Sequence, residues 1–355
     1  MPGSPPPAPE RRPVVVDVHD HFVPPAFAEL VRRRGPDLAT ELVREGEHEH
    51  FLIEGTARRS YDPRLYDLET RREQMAEDGV DLQILSCLPF MTYYGIPPED
   101  GLAVARLVND GLAEAVAADP AHFTALATVP LQDPPAAARE LERAVRGLGM
   151  VGVQILTAVP GRPLDDAALR PFWEAAAGLG VPVLIHPFEA VPTGELARHQ
   201  LGNLLGNPFG TATAAALLIL SGLLDELPGL VPVLAHGGGA LPFVIGRLDR
   251  GWSGNPGQVG PGLAGPPSAH LRRFAFDTIT FSAPALRYLV ELVGGDRVLL
   301  GTDYPTGMMQ AAPLAALEAA GLAPEVRDLV AGENARRIFG LGRGAAGAGE
   351  VAGRG

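Results

Sequence analysis

Residues 17–21 read Asp-Val-His-Asp-His, so two imidazoles stand two positions apart directly after a short apolar run. Alternate residues of an extended strand project to the same side, and His19 and His21 are therefore placed to offer both rings to one ion. Such a pair alone is weak evidence, because strand-end histidines also occur as ordinary core or surface residues. Three further groups occupy the same kind of position: His186 closes the apolar run 181–186, His236 closes 231–236, and Asp303 follows 298–302. If these runs are parallel strands of one closed sheet, their C-terminal ends meet on a single face, and side chains far apart in sequence become neighbours.

Three neutral imidazoles and one carboxylate suit Zn²⁺ or a similar divalent first-row ion such as Mn²⁺. With His19, His21, His186 and Asp303 as the ligands, His236 is left beside the ion as a general acid or base, since imidazole titrates nearest neutrality. The alternative for His236 is a fifth ligand, or a hydrogen-bonded core histidine ahead of Gly237-Gly238-Gly239, glycines that allow backbone to approach a ligand closely. A second pair, His48 and His50 in EGEHEH, has no further donor nearby and reads as a solvated hairpin or loop. His122, His199 and His270 fall outside strand ends.

The elements that must position these groups are eight apolar runs, at residues 14–18, 80–88, 123–130, 150–156, 181–186, 231–236, 274–279 and 298–302. They lack the alternation of a half-exposed antiparallel sheet, which predicts parallel strands buried on both faces. Between them lie segments with apolar residues at helical spacing, such as Ala105, Val108, Leu112 and Val116, or Leu286, Leu289, Val290 and Val293. The expected fold is α/β, a (β/α)8 TIM barrel forming one domain over residues 13–341. An insert of about residues 22–63 and a Gly/Pro-rich stretch of about 252–268 both read as following a strand's C-terminal end, and so as covering the mouth. Residues 1–12 and 342–355 are expected to be disordered tails.

Composition narrows the chemistry. All 29 basic residues are arginine, which removes Schiff-base catalysis, lysine-based phosphate loops and the carboxylated lysine that bridges two metals. The single cysteine, Cys87, excludes intramolecular disulfides and cysteine-cluster zinc sites, and its place in an apolar run predicts core packing. A net charge of −13 leaves no general basic surface, so a small-molecule substrate is expected and nucleic acid is not. No uninterrupted apolar stretch reaches the roughly 18–20 residues of a membrane span, and the proline-rich start lacks the apolar core of a signal peptide; a cytoplasmic protein without a membrane partner is expected.

Taken in order, DVHDHFVP, YDPRLYDLETRREQMAEDGVDLQILSCLP, GVQI, LDDAALRPFWEAAAGLGVPVLIHP, LAHGGGALPFVIGRLDRGW, FAFDT and GDRVLLGTDYP resemble the decarboxylase-like branch of the amidohydrolase superfamily over most of the chain. The resemblance implies metal-ligand roles for His19, His21, His186 and Asp303 and an acid/base role for His236. It matches Arg247 to an arginine that binds a substrate carboxylate in a neighbouring subunit's site, which implies a homodimer. A further carboxylate-binding arginine, upstream of Tyr61-Asp62-Pro63, is replaced here by Glu54, leaving Arg58 and Arg59 as nearby substitutes. The implied reaction is non-oxidative decarboxylation of an unsaturated or aromatic carboxylic acid bearing a metal-chelating oxygen. A metal-dependent hydrolase or hydratase is the alternative, and a catalytically silent barrel is a third reading.

Overall fold

Strands that are apolar on both faces need cover on both, and a sheet that closes on itself with helices outside supplies it. The computed structural model describes residues 13–342 apart from residue 56 and residues 189–192, so the expected tail at 1–12 and, but for Gly342, the expected tail at 342–355 lie outside the described residues. In chain order the strands are β1 (Val16–Phe22), β2 (Thr40–Glu45), β3 (His48–Ile53), β4 (Ala57–Tyr61), β5 (Leu82–Cys87), β6 (Phe123–Ala127), β7 (Gly152–Leu156), β8 (Ala158–Val159), β9 (Arg162–Pro163), β10 (Pro182–His186), β11 (Val231–Leu234), β12 (Ala275–Asp277) and β13 (Val298–Leu299). The helices are α1 (Pro25–Arg34), α2 (Leu68–Asp78), α3 (Pro98–Ala118), α4 (Pro134–Leu148), α5 (Arg170–Leu179), α6 (Asn207–Leu220), α7 (Leu223–Glu226), α8 (Leu241–Gly254), α9 (Ala283–Val293), α10 (Pro313–Ala319), α11 (Pro324–Asp328) and α12 (Asn334–Ile338).

Eight strands form one sheet in the order β1-β5-β6-β7-β10-β11-β12-β13, and every pairing in it is parallel. Backbone bonds join the last strand to the first: Val18 N donates to Leu300 O at 3.0 Å, Asp303 N to His19 O at 2.7 Å, and His21 N to Tyr304 O at 2.7 Å. The sheet is thereby a closed barrel, as its eight apolar runs predict. Val16, Val18, Ile84, Leu126, Leu184, Val233 and Leu299 fill the interior, together with Ala335 of α12 and Phe339. A separate, larger cluster lies between strands and helices, and it includes Val108 and Leu112 of α3 and Leu286, Leu289 and Val293 of α9. Cys87 packs in that cluster, where burial pushes its thiol up to about 12 and leaves it unreactive.

Several strand bounds differ from the sequence expectation by a few residues, and two differences bear on the site. β1 continues through the histidines to Phe22, because His19, Asp20 and His21 all find buried partners and the ladder has no reason to stop at residue 18. The stretch 252–268 was expected over the mouth, but its first residues finish α8 and the rest leads into β12, so it is a helix-to-strand connection. Such connections lie at the opposite end of the barrel from the strand C-termini, and none of its residues lines either cavity described below.

The insert carries a small sheet of its own. After α1 it forms the antiparallel sheet β2-β3-β4, with EGEHEH at the β2–β3 turn. Phe51 of β3 anchors it, with ring centroids 5.8 Å from Phe27 and 5.3 Å from Phe90. The continuous helical run Gly202–Leu220 is long and apolar enough to cross a membrane by length and composition, yet its Ala212, Ala215, Leu218 and Ile219 pack into the cluster between strands and helices. Leu184 is fully buried in the barrel interior. Leu184→Ala should therefore lower unfolding free energy by about 2–5 kcal/mol in urea titrations; an unchanged midpoint would show that the interior is not packed as described.

Candidate metal centre and its cavity

The four expected ligands come from three parts of the barrel and meet at one point. His19 and His21 project from β1, His186 ends β10, and Asp303 follows β13; one ligand atom from each lies within 4.8 Å of the others, and all four residues are buried. Their ring orientation is fixed from behind. His19 Nδ1 lies 2.7 Å from Asp277 Oδ2, His21 Nδ1 lies 3.1 Å from the Cys87 carbonyl, and His186 Nδ1 lies 2.8 Å from the Pro187 carbonyl. A carbonyl only accepts, so each Nδ1 facing one carries the hydrogen and each Nε2 presents a lone pair inward.

That tautomer tests whether the residues fit a cation. His19 Nε2, His186 Nε2 and Asp303 Oδ1 are buried without a hydrogen-bond partner among the described residues. His21 Nε2 stands 3.1 Å from Asp303 Oδ1, two acceptors facing each other, which is repulsive unless a cation lies between them. The electrostatics agree. Burial and the facing imidazoles of His19, His236 and His21 push His186 well below the usual histidine range, keeping it neutral. Burial alone would raise Asp303, but hydrogen bonding and positive charge from the side of His21, His236 and His19 hold it well below the usual carboxylate range, so an anionic carboxylate here requires positive charge at those nitrogens, carried by imidazolium or by a cation between them.

His236 stands beside this group, its Nε2 3.8 Å from Asp303 Oδ2, at the end of the cavity where its side chain keeps some exposure. Burial would lower its proton affinity, but the Asp303 and Asp277 carboxylates outweigh it and hold the imidazole above its usual value. The backbone here is unusual: His236 has φ of 56°, and Gly237, Gly238 and Gly239 all follow with positive φ. A Cβ at Gly238 would meet the Phe276 ring at 2.7 Å and one at Gly239 the Pro208 carbonyl oxygen at 2.1 Å, so this turn admits only glycine at both places.

Asp277, which the sequence reading did not single out, organises much of this. Its Oδ2 accepts from His19 Nδ1 and from His236 N at 2.8 Å, and its Oδ1 accepts from Gly237 N at 2.7 Å and Ile279 N at 3.0 Å. One carboxylate thus orients a candidate ligand and fixes the turn that carries His236. A second unanticipated group lies under β1. Arg71 of α2, fully buried, donates to Asp20 and to Gln83 at 2.9 Å each and to the His21 carbonyl, and its guanidinium lies 4.8 Å from the Tyr304 ring centroid. Burial pushes Asp20 up to about 6, and Arg71 limits that rise.

The group lies where two cavities adjoin. One of about 490 Å³ is lined by His21, His186, Arg58, Arg59, Ser60 and Phe188 among others. Arg59, from β4 of the insert, lies 5.9 Å from the Phe188 ring, and its charge is coupled to that of Asp303. Arg58 borders the same space but is engaged by Glu45 at 2.8 Å. Glu54 lines neither cavity. Arg247 is exposed on α8 and lines neither cavity of its own chain. His48 is exposed, His50 lies 3.7 Å from Glu45, and His122 and His270 pair with Asp119 and Asp225.

A family model described as Amidohydrolase matches residues 16–341. The chain is 32% identical over 332 residues to 2-amino-3-carboxymuconate-6-semialdehyde decarboxylase of Dictyostelium discoideum, covering 93% of this chain and 92% of the relative. Among solved structures, 5-carboxyvanillate decarboxylase from Sphingomonas paucimobilis is 30% identical with a TM-score of 0.77, covering 92% of this chain and 98% of that one. Dihydroxybenzoic acid decarboxylase from Polaromonas sp. JS666, with bound manganese and the inhibitor 2-nitroresorcinol, is 27% identical with a TM-score of 0.75, covering 93% of this chain and 98% of that one.

Because Asp277 holds the hydrogen of His19 on Nδ1, Asp277→Asn should weaken divalent-metal affinity about 10- to 100-fold. Competition with a chelator would measure it, and unchanged affinity would show that Asp277 does not set that ring.

Proposed function

The chain belongs to the amidohydrolase family and is a metal-dependent non-oxidative decarboxylase of an unsaturated or aromatic carboxylic acid, and we propose that His19, His21, His186 and Asp303 hold its ion while His236 moves the proton. The observation that carries this is the inward Nε2 lone pairs of three tied imidazoles facing a buried carboxylate. Three imidazoles and a carboxylate suit zinc, the ion proposed first. Manganese is the alternative, favoured by its presence in the Polaromonas structure. A dication there supplies an electron sink by polarising an oxygen of the conjugated substrate.

The reaction breaks the bond between the substrate's carboxylate and its ring or chain carbon. The bonding electron pair stays on that carbon, CO₂ leaves, and a proton takes its place. His236 is the group to deliver that proton, because it borders both cavities and lies beside Asp303, whose charge raises its proton affinity. Arg59 is the cationic side chain suited to orient the carboxylate, since Arg58 is engaged by Glu45. Arg247 remains a candidate to bind substrate in a second copy's site, and with it we propose a cytoplasmic homodimer; light scattering that gave an active monomer would remove the shared-site role. Hydrolysis or hydration, the alternative left open by the residues, receives no support from relatives that are decarboxylases.

The test is product analysis with hydroxylated aromatic and dienoic acids, reading CO₂ release from zinc- and manganese-loaded protein. His236→Asn should lower kcat about 10²- to 10⁴-fold with metal content unchanged, and chelation should abolish turnover reversibly. Cleavage of an amide or ester with the acid left intact would reject decarboxylation. Arg59→Met should raise KM about 10- to 100-fold, the loss of a charge-assisted bond; a KM equal to that of the unaltered protein would free Arg59 of that role.

A further inference from the structure

The second cavity, about 440 Å³, meets the first at the metal cluster: Asn203, His236, Asp303 and Met308 line both. Beyond that shared end its walls are apolar, formed by Leu204, Phe243, Ile279, Phe281, Tyr288 and Leu289. Among the described residues its one other titratable lining group, Tyr288, donates its hydroxyl to the Pro242 carbonyl at 2.9 Å. That bond ties α9 to α8 and takes up the one phenolic O–H, so the lobe receives a ring face. Phe281 stands at φ of 51°, an uncommon backbone for an aromatic residue, and its side chain remains 52% exposed while bordering the lobe. Leu204 and Tyr288 are likewise 45% and 43% exposed in the unliganded chain, leaving apolar area that a ligand in the lobe would cover.

The first cavity alone is large enough for a single-ring acid and carries the arginine and amide groups that would engage a carboxylate and hydroxyls. Resting on the decarboxylase reading, we propose that the second cavity is an apolar subsite, and that the substrate class is an aromatic or conjugated acid carrying an alkyl chain or second apolar ring. The carboxylate lies toward Arg59 and the apolar group runs past His236 toward Phe281 and Tyr288. The occupant is a part of the substrate because the lobe is continuous with the cavity that holds Arg59 and shares His236 and Asp303 with it; a second copy bringing Arg247 to the site would enter by the same opening and is the competing outcome of the test.

Binding tests the subsite independently of turnover. Calorimetry on the zinc-loaded protein would use 2-hydroxybenzoates bearing alkyl chains of one to five carbons at ring positions 4, 5 or 6. For at least one position Kd should fall about two- to fourfold per methylene, as expected when part or all of each group leaves water. Ala285, exposed on the first turn of α9, also lines the lobe. Ala285→Trp should flatten that chain-length dependence while metal content and Tm stay as in the unaltered protein, and Phe281→Ser should reduce it. Affinity independent of chain length at all three positions would overturn the proposal, as it would if a second copy filled the lobe. So would an A285W protein that keeps the full dependence. Absence of CO₂ from every acid, with the dependence intact, would instead overturn decarboxylation and leave the subsite standing.

Discussion

Three imidazoles point their Nε2 atoms at one place because each has given its Nδ1 hydrogen to a fixed internal acceptor: Asp277, the Cys87 carbonyl and the Pro187 carbonyl. Everything about the site follows from that constraint. Burying acceptor atoms without donors costs about 1–3 kcal/mol each, and His19 Nε2, His186 Nε2 and Asp303 Oδ1 are all in that condition. A fold that keeps such atoms together gains only if a cation joins them, so the desolvation cost is also the source of metal affinity. Asp277 belongs to β12 and Cys87 to β5, while Pro187 directly follows β10, so the closed barrel, rather than any one segment, brings the three rings together.

Closure itself is secured partly by the same polar groups. Asp17 accepts from Thr302 Oγ1 at 2.5 Å, Thr302 N at 3.1 Å and Gln83 Nε2 at 3.2 Å, so one buried carboxyl links β1 to β5 and to the segment following β13. Arg71 does the corresponding work further along β1, reaching Asp20, the His21 carbonyl and Gln83, the same glutamine that donates to Asp17. Buried networks of this kind are costly when incomplete and rigidifying when satisfied. Here they hold the strand that supplies two of the four proposed ligands. Rigidity at the base of the histidines and openness at the rim are therefore properties of different residues.

The strand-end histidines and Asp303 were legible in the sequence because each follows an apolar run, and parallel strands send their ends to one face. The helix faces were legible for the same reason of periodicity. Asp277 was not, since a single aspartate after Phe276 carries no spacing signal; only its four accepted hydrogen bonds reveal its part. Arg71 was hidden more thoroughly. It sits in a charged stretch, LETRREQ, that looks like a solvated helix face, and only the packing of α2 under β1 buries it. The stretch 252–268 was misplaced because its Gly/Pro content marks a loop without saying which end of the barrel the loop occupies. The helix α8, Leu241–Gly254, decides that: it carries the chain from the strand end back down the barrel before the stretch begins its course into β12.

His236, Phe281 and Asp303 share a left-handed backbone, with φ of 56°, 51° and 59°, and they follow three adjacent strands, β11, β12 and β13. Non-glycine residues in that region cost on the order of 1–3 kcal/mol each and persist only where surrounding contacts over-determine them. At His236 and Asp303 those contacts are visible. His236 N is held by Asp277, and Asp303 N by the His19 carbonyl at 2.7 Å. The turn redirects each side chain sharply at the point where the strand ends. An ordinary extended exit would carry His236 along the strand direction, away from Asp303. The strained turns instead bring an imidazole proposed to carry the proton, a carboxylate and an aromatic wall around one opening, with the barrel's hydrogen bonds supplying the energy that keeps them there.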